Sequence, residues 1–314
     1  MIKIGVTGAS GFIGSYLVDY LSNFSNFYIR PLYRSFIDKN LTKENIFPVI
    51  GDLNSLDLCY KFTRDLDIII HLAHSGNVST RIDFASTTLI SNFNSSFNLI
   101  QAINNNNNNK CKIIFASSGG AIYGFKDNIS ALKKMPLREI DPCFPISFYG
   151  IEKQMIESFL HIISNDQIQI ISLRISNPYG TILPLERKQG IIGIAVGCAI
   201  SGKQLPLTSN LLTIRDYIHL NDLCSAIKST FEIQDNYEIL NIGSGIGYSL
   251  REVFDLIESE SKCKIKLHVK KNATAGSLPW SVLDISKAKN KLNWKPKIKL
   301  ADGIRMLCEN YQKT

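Results

Sequence analysis

The sequence predicts an α/β fold in which a doubly wound parallel sheet carries helices on both faces and is followed by a smaller mixed α/β lobe. Short Ile-rich runs alternate with amphipathic stretches through the first 176 of the 314 residues. Such continuous apolar strands are typical of a parallel sheet that is buried on both faces. After Arg174 the pattern loosens around several prolines and glycines, which predicts a loop-rich second lobe suited to determining specificity.

Hydrophobic spacing places the individual elements, because apolar runs predict strands and helical spacing predicts helices. In the first half we expect strands at 2–6, 28–33, 47–50, 68–72, 113–117 and 168–173, and helices at 12–21, 86–103 and 150–164. In the second half we expect helices at 191–201, 222–231 and 284–292, and one that opens with the capping box Ser249–Glu252. The predicted domains are residues 1–176 and 177–314, with a strand near 238–243 that returns to the first.

Composition excludes several classes of protein. The chain is 45% hydrophobic and 20% charged, so a large core is expected rather than disorder. It has neither an apolar run long enough to span a membrane nor a signal-peptide pattern after Met1. Its seven cysteines are scattered without a C-x-x-C pair, which indicates reduced thiols and no metal site. We therefore expect a cytoplasmic protein.

The net charge of +8 comes from dispersed lysines and arginines that become lysine-rich only toward the C-terminus. We interpret most of this charge as a solvated surface and expect no nucleic-acid partner. Part of this positive charge is suited to attracting a negatively charged diphosphate ligand.

A glycine-rich segment follows the first strand and opens the first helix. It reads TGASGFIG, with glycines at positions 8, 11 and 14. Such glycines permit a tight turn, close approach of a diphosphate and helix–sheet packing, and the helix N-terminus adds N–H groups and a positive dipole end. The pattern predicts a dinucleotide site formed by Gly8, Ser10, Gly11, Phe12, Ile13 and Gly14.

The end of the second strand bears on which dinucleotide binds. A carboxylate there selects NAD through the ribose 2′-hydroxyl, whereas an arginine accommodates the 2′-phosphate of NADP. The chain has no carboxylate at this point and offers Arg34. We therefore predict NADP, with NAD as the alternative, and expect Asp52 and Leu53 after the third strand to contact the adenine.

Tyr149 and Lys153 form a Y-x-x-x-K pair, which places both side chains on one helix face a turn apart. A free phenol has a pKa near 10, and a nearby ammonium or oxidised nicotinamide favours the phenolate. We predict that Tyr149 exchanges a proton with an alcohol while hydride moves to or from the cofactor.

Further motifs extend along the chain, and with them it resembles the extended short-chain dehydrogenase/reductase family. The resemblance is to the NAD(P)-dependent nucleotide-sugar epimerases, dehydratases and ketoreductases, in a galactose epimerase-like branch. The motifs that carry it are GDL (51–53), HLA (71–73), SSGGAIYG (117–124), YGIEK (149–153), LRISNPYG (173–180), IRDYIHLNDL (214–223) and LNIGSG (240–245), together with Asn92 and the Trp294-Lys-Pro ending.

The resemblance implies a Rossmann NAD(P)-binding domain at 1–176 and a nucleotide-sugar-binding lobe at 177–314. It implies a structural role for Asn92 near the tyrosine, and a homodimer formed through helices 86–103 and 150–164. Cofactor contacts are implied for Leu72, Ala73 and Lys153. Substrate contacts are implied for Ser118, Gly119, Asn177 and Arg215, with Arg215 on the diphosphate.

Three positions depart from the family pattern. Gly119 occupies the place of a catalytic hydroxyl, so Ser118 would supply it from one residue earlier. Thr274 occupies the place of an arginine that grips the diphosphate. His74 follows HLA, where relatives commonly carry a small residue; it either faces the substrate or is structural.

Three functions remain open at this point. The first is a 4-ketoreductase of a nucleotide 4-keto-6-deoxyhexose that uses dissociable NADPH. The second is a UDP-hexose 4-epimerase with tightly bound NAD, and the third is a regulator that has lost catalysis. A 4,6-dehydratase is disfavoured because Gly119, Gly120 and Ala121 stand where that group carries acid–base side chains.

Overall fold

A computed structural model describes residues 1–35, 43–76, 82–106, 110–124, 135–187, 189–207, 210–269 and 278–312. Thr274, singled out above, lies outside the described residues. None of the helices in these ranges is long and apolar enough to cross a membrane.

The described strands are β1 (Ile2–Thr7), β2 (Phe27–Tyr33), β3 (Val49–Ile50), β4 (Ile68–His71), β5 (Cys111–Ser118), β6 (Ile168–Ile175), β7 (Asn177–Tyr179), β8 (Gln204–Leu207), β9 (Ile214–His219), β10 (Tyr237–Ile242), β11 (Gly247–Ser249), β12 (Lys266–Val269) and β13 (Trp280–Ser281). The described α-helices are α1 (Phe12–Ser22), α2 (Leu56–Thr63), α3 (Ile82–Asn106), α4 (Phe148–Ile163), α5 (Ile191–Ser201), α6 (Leu220–Ser229), α7 (Leu250–Ser261), α8 (Ser286–Leu292) and α9 (Leu300–Gln312).

The main sheet has seven strands in the order β10-β6-β5-β4-β1-β2-β3. The pairings of β1 with β2 and β4, of β2 with β3, and of β4 with β5 are parallel. The order reverses at β1, whose neighbours on either side are β2 and β4, so the predicted doubly wound fold is confirmed. In such sheets ligands bind beyond the carboxyl ends of the strands at this reversal.

Apolar side chains from the sheet and from α2, α3 and α4 form one continuous core. Ile69 and Phe115 lie in the sheet, Phe62 on α2, Leu99 on α3 and Ile156 on α4, and all five are almost completely buried. Because α3 and α4 are both anchored in this core, the residues at their ends are held against the edge of the sheet.

Lys112 on β5 is a buried cation inside the same unit. Its ammonium donates to the carbonyl oxygens of Thr230 at 3.3 Å and Ile233 at 2.6 Å, and also to that of Phe231. Thr230 and Phe231 lie in the short 3₁₀ turn after α6, and Ile233 follows it directly; carbonyls at a helix end lack partners within the helix. Burial lowers the pKa of Lys112, which the charge of Glu232 partly offsets.

The chain divides into two compact units, each assembled from three segments. The first comprises Met1–Ser118, Ser147–Arg174 and Cys224–Leu240, and the second comprises Gly119–Ile146, Ile175–Leu223 and Asn241–Thr314. The predicted boundary after residue 176 stays a prediction.

The second unit contains small sheets that the sequence pattern did not reveal. Strand β9 pairs with β7, β11 and β13, and β8 pairs with β12. The predicted capping box is confirmed, because Ser249 and Glu252 exchange both hydrogen bonds at the start of α7. The terminal helix α9 was also not predicted.

Candidate active site

The turn between β1 and α1 accepts only glycine at its key positions. Gly8 has a φ of +67°, and a Cβ there would lie 2.8 Å from the backbone carbon of Leu72. A Cβ on Gly11 would lie 3.0 Å from the carbonyl oxygen of Gly8, and one on Gly14 would clash with that same oxygen. The turn is therefore packed directly against the backbone that follows β4.

Helix α1 begins immediately after this turn. The N–H of Gly11 donates to the carbonyl of Gly8 at 2.9 Å, and no side chain of the described residues caps the helix at Gly11. Ser10 and Gly11 are exposed, while Phe12 and Ile13 are half-buried. The predicted dinucleotide residues thus lie together at a helix N-terminus, a geometry that suits an anion.

A chain of neutral polar groups supports the turn from behind. Thr7 Oγ1 lies 2.8 Å from His71 Nδ1, and His71 Nε2 lies 2.9 Å from Ser96 Oγ. Ser96 donates its single proton to the carbonyl of Asn92, so it must accept from Nε2–H of His71, and Thr7 must donate to Nδ1. Thr7 in turn accepts the N–H of Ala73 at 3.2 Å, so every hydroxyl proton in the chain is used.

His71 is neutral in this chain. Its burial, and to a smaller degree the charges of Lys153 and His74, lower its pKa to about 3. The neutral ring therefore fixes Ala73, a predicted cofactor residue, without adding charge behind the turn.

Arg34 is exposed at the end of β2, and its Nη1 donates to Ser75 Oγ at 3.1 Å. Asp52 is exposed and accepts the backbone N–H of Asn54 at 2.8 Å, while Leu53 is buried in the core. Leu72 is half-buried beside the glycine turn.

Tyr149 and Lys153 lie in the first turns of α4, which Ser147 caps by accepting the N–H of Gly150. Lys153 Nζ is 5.6 Å from the centre of the Tyr149 ring and 4.7 Å from that of Phe115. The Ser118 side chain, at the end of β5, hydrogen-bonds Tyr149. The structure therefore brings the three predicted catalytic side chains together, although Ser118 is offset from the usual family position.

Burial has the largest effect on the pKa of Tyr149 in the protein alone. Burial raises it to about 12; the hydrogen bond from Ser118 lowers it and the charge of Glu152 raises it. Burial also lowers the pKa of Lys153 to about 8, against the opposing charges of Glu152 and Glu157. At neutral pH the site therefore holds a protonated phenol.

Glu152 was missed by the sequence analysis, although it lies inside the Y-x-x-x-K segment. Its carboxylate is almost completely buried, with Oε1 at 3.4 Å from His74 Nε2 and Oε2 accepting from Asn92 Nδ2 at 3.2 Å. Asn92 also holds the backbone N–H and carbonyl of Ser75, each at 2.9 Å. Asn92 thus has the structural role near Tyr149 that the resemblance implied.

The remaining predicted substrate residues lie in the second unit. Asn177 is on β7 and donates to the carbonyl of Asp216 on β9 at 2.9 Å. Arg215, half-buried on β9, donates to the carbonyl of Ile214 at 2.7 Å, and burial lowers the pKa of its guanidinium. Gly119 is buried and bonds to the carbonyl of Ile175 at 2.9 Å.

Asp216 is the buried anchor of this region. Its carboxylate accepts the N–H groups of Ser244 at 2.8 Å and Gly245 at 3.1 Å, and the Ser244 hydroxyl at 2.7 Å. Burial raises its pKa and these hydrogen bonds lower it. Asp216 therefore positions β9, on which Arg215 lies. Within the described ranges, no group of three or more His, Cys, Asp or Glu side chains is arranged to hold a metal ion.

Comparison with known proteins identifies the group to which this architecture belongs. Residues 4–243 match the profile of the NAD dependent epimerase/dehydratase family. A putative UDP-glucose 4-epimerase of Methanocaldococcus jannaschii is 31% identical over 309 residues, which cover 96% of this chain and 95% of that protein.

Two further similarities point to the same group. A dTDP-4-dehydro-6-deoxyglucose reductase of Escherichia coli is 35% identical over 202 residues, or 63% of this chain, and the match spans 61% of the reductase's length. A UDP-glucose 4-epimerase of Thermotoga maritima, solved with UDP-glucose, superimposes with a TM-score of 0.86 at 25% identity and covers 99% of both chains.

Proposed function

Because the chain belongs to the NAD-dependent epimerase/dehydratase family, we propose that it oxidises or reduces a nucleotide-linked sugar at C4. The observation that carries the proposal is the cluster of Ser118, Tyr149 and Lys153. In it a hydroxyl, a phenol and an ammonium lie close together at the N-terminal end of α4. This set is suited to moving one proton to or from a sugar oxygen.

The glycine turn fits the cofactor that the family name implies. Cβ atoms at Gly8, Gly11 and Gly14 would meet the protein's own backbone, so the turn needs glycine to pack tightly at the start of α1, where a helix N-terminus suits a diphosphate. The diphosphate would be contacted by Ser10, Phe12 and Ile13, and the adenine by Asp52 and Leu53. The rest of the dinucleotide would be contacted by Leu72 and Ala73. When bound, the nicotinamide supplies or accepts the hydride.

Tyr149 would be the proton donor or acceptor for the sugar oxygen. Ser118 would donate its single hydroxyl proton to the sugar oxygen before proton transfer. Once the proton of Tyr149 has left, the same hydroxyl would be able to donate to the phenol oxygen instead, which favours the phenolate. Lys153 would stabilise the same phenolate by its positive charge. The raised pKa of Tyr149, about 12, keeps the phenol protonated at neutral pH.

A protonated phenol is the form needed to reduce a ketone, because the developing alkoxide takes a proton. This supports a 4-ketoreductase of a nucleotide 4-keto-6-deoxyhexose as the leading candidate, in line with the similarity to the Escherichia coli reductase. Arg34, at a strand end without a carboxylate, supports NADPH as its reductant.

A UDP-hexose 4-epimerase with tightly bound NAD is the second candidate. Its support is that the matched 4-epimerases align over the full chain. In that reaction Tyr149 would first accept the proton of the C4 hydroxyl and later return it on the other face of the sugar. The same three side chains would serve both reactions. A reductase consumes reduced cofactor, whereas an epimerase leaves the cofactor unchanged overall, so consumption of the cofactor distinguishes the two.

In either case Asn177, Gly119 and Arg215 would contact the substrate, with the Arg215 guanidinium on the diphosphate. An arginine fork is suited to phosphate oxygens. A location in the cytoplasm is supported by the seven cysteines, all of which are free thiols.

We also propose a homodimer, because α3 and α4, which touch through Phe97 and Phe159, each carry exposed apolar side chains. Exposed apolar surface on adjacent helices marks an interaction site. Mass measurement by light scattering should give a dimer for the wild type and a monomer for Met155→Glu, whereas the control Ile140→Glu stays dimeric. A monomeric wild type would contradict this. The surface consists of Ile90, Phe97, Ile151, Met155 and Ile162.

The activity test measures reduced-nicotinamide absorbance with NADPH or NADH and a panel of nucleotide 4-keto-6-deoxysugars. Stoichiometric oxidation of NADPH that Tyr149→Phe abolishes and the exposed control Tyr311→Phe preserves would establish the reductase. No oxidation, with NAD released only on denaturation and C4 inversion of UDP-hexoses, would establish the epimerase instead. Turnover of neither substrate class would refute both.

A further inference from the structure

His74 and Glu152 form a pair beside Tyr149, and His74 is in direct contact with it. The imidazole of His74 packs nearly perpendicular to the phenol ring, with centroids 4.9 Å apart and an interplanar angle of 81°. Its Nε2 lies 3.4 Å from Glu152 Oε1. One imidazole therefore contacts both the phenol and the carboxylate that flanks it.

The surroundings of Glu152 indicate a charge that requires compensation. Its side chain is 4% exposed and that of His74 is 18% exposed. A carboxylate buried to this extent needs hydrogen bonds or a counter-charge. Asn92 supplies one hydrogen bond to the second oxygen but carries no charge. The ionisable side chain in contact with the first oxygen is His74, whose imidazolium form would compensate the carboxylate.

The charge of Glu152 acts on the reacting pair. It raises the pKa of both Tyr149 and Lys153. The described titratable or charged groups around the pair are Tyr149, Lys153 and Glu157 on α4, His71 on β4, Arg174 on β6, and Arg34, which bonds to the adjacent Ser75. His71 is neutral and Arg34 is exposed. Glu157 pairs with Arg174 at 2.8 Å, and Lys153 interacts with the charges of both Glu152 and Glu157.

The neighbouring His71 shows what a purely structural histidine looks like in this fold. It bonds to two hydroxyl groups and faces no carboxylate. His74 is built differently, because its partner is ionisable and its ring touches the phenol. If His74 had only a structural role, neutral partners like those of His71 would be enough, and a buried carboxylate such as Glu152 would not be needed.

We propose that His74, as an imidazolium, is a positioning residue that neutralises Glu152 and thereby sets how readily Tyr149 ionises. Its ring also fixes the orientation of the phenol. The inference deepens the proposed function, since it rests on Tyr149 as the proton-transfer residue.

Opposite effects of the two partners follow from this arrangement. Glu152→Gln removes the negative charge and eases ionisation of Tyr149. His74→Gln keeps an N–H donor for Glu152 but never carries charge, so it leaves the carboxylate uncompensated and opposes ionisation. In the double variant His74→Gln/Glu152→Gln there is no charge left to compensate, so it behaves like Glu152→Gln.

The first readout needs neither cofactor nor substrate. In protein labelled with ¹⁵N-histidine, the five histidines give resolved ring nitrogens, and His74→Gln assigns one set by its loss. We expect two protonated ring nitrogens for His74 at pH 7 and a neutral ring in Glu152→Gln. A neutral His74 in the wild type, unchanged by Glu152→Gln, would overturn the proposal whether or not an activity is found.

The second readout is the pH profile of kcat in the direction of sugar oxidation, where the rate rises as Tyr149 ionises. We expect the rising limb to move down by about one pH unit in Glu152→Gln and up by about one in His74→Gln, with KM for the sugar unchanged. The proposal would be overturned if the rising limb moved in the same direction in both variants, or if the variants changed KM alone. Absence of turnover by the wild type contradicts the proposed function alone.

Discussion

Two polar regions are both hydrogen-bonded to Asn92, and they satisfy their buried polar groups differently. Behind the glycine turn, Thr7, His71 and Ser96 are linked by hydrogen bonds that use every proton and carry no charge. Beside the catalytic pair, Glu152 and Lys153 are buried ionisable groups, and the charge of Glu152 raises the pKa of both Lys153 and Tyr149. The first arrangement holds backbone in place, whereas the second sets protonation.

The difference indicates which region tolerates a change of pH. A neutral network is insensitive to pH until one of its members titrates, while a cluster of coupled charges responds over a wide range. The cofactor turn is thus held by the insensitive region and the chemistry is placed in the responsive one. Three variants test that contrast, described from the largest expected effect to the smallest.

Lys153→Met removes the cation of the charged cluster. We expect kcat/KM to fall by about 10²- to 10⁴-fold, because the phenolate of Tyr149 loses its stabilising charge while Glu152 remains. The measurement is steady-state turnover of whichever nucleotide sugar the activity test shows to be a substrate, with Lys61→Met on the exposed face of α2 as the control. Near-normal turnover in Lys153→Met would mean that the cluster does not set protonation.

His71→Gln tests the neutral region through stability. The pKa of His71 in the folded protein, about 3, lies below its ordinary value near 6.5. The unfolded chain therefore binds a proton that the folded protein does not, so the stabilisation is complete above about pH 6.5 and is lost as the pH falls toward 3.

Urea unfolding checks this sign. Between pH 7.5 and pH 5 the wild type should lose about 2 kcal/mol from this group, and His71→Gln should not show that component. His268→Gln, at an exposed position on β12, should retain it. An identical pH dependence in the wild type and His71→Gln would show that His71 is not held neutral.

Thr7→Val removes the hydroxyl at the end of the neutral region without changing side-chain volume. It leaves His71 Nδ1 and the N–H of Ala73 unbonded, so we expect a loss of about 1–3 kcal/mol in the free energy of unfolding. Weaker cofactor binding should accompany it, measured by titration calorimetry, and the pH profile of kcat should stay unchanged. A shifted pH profile would show that the two regions are not independent.

The sequence predicted the parts of the site that depend on short spacing. The glycines of the first turn and the Tyr149–Lys153 pair are encoded within single segments, and their geometry follows from one turn or one helix. The bonds that complete the site join distant positions, as when Asn92 reaches Glu152 over 60 residues. No local pattern identifies such partners, so the roles of Glu152 and His74 emerged only from the fold.

The elements show the same limit. Six of the seven strands of the main sheet have four to eight residues, and they were predicted within a few residues. Strands such as β7 and β11 have three residues each, too few for a period to be visible. Helix α9 was missed even though Leu300, Ile304 and Leu307 repeat at helical spacing and are buried, which was a readable signal.

Lys112 has a consequence for dividing this protein into fragments. Its ammonium is satisfied by carbonyls that lie 118 to 121 residues later in the chain. A truncated product that stops at residue 176 would retain the buried lysine and lose all three acceptors, together with strand β10 from the sheet edge. Autonomous folding of the N-terminal half is therefore not expected, and a nascent chain on the ribosome can complete this sheet only after residue 242 has emerged.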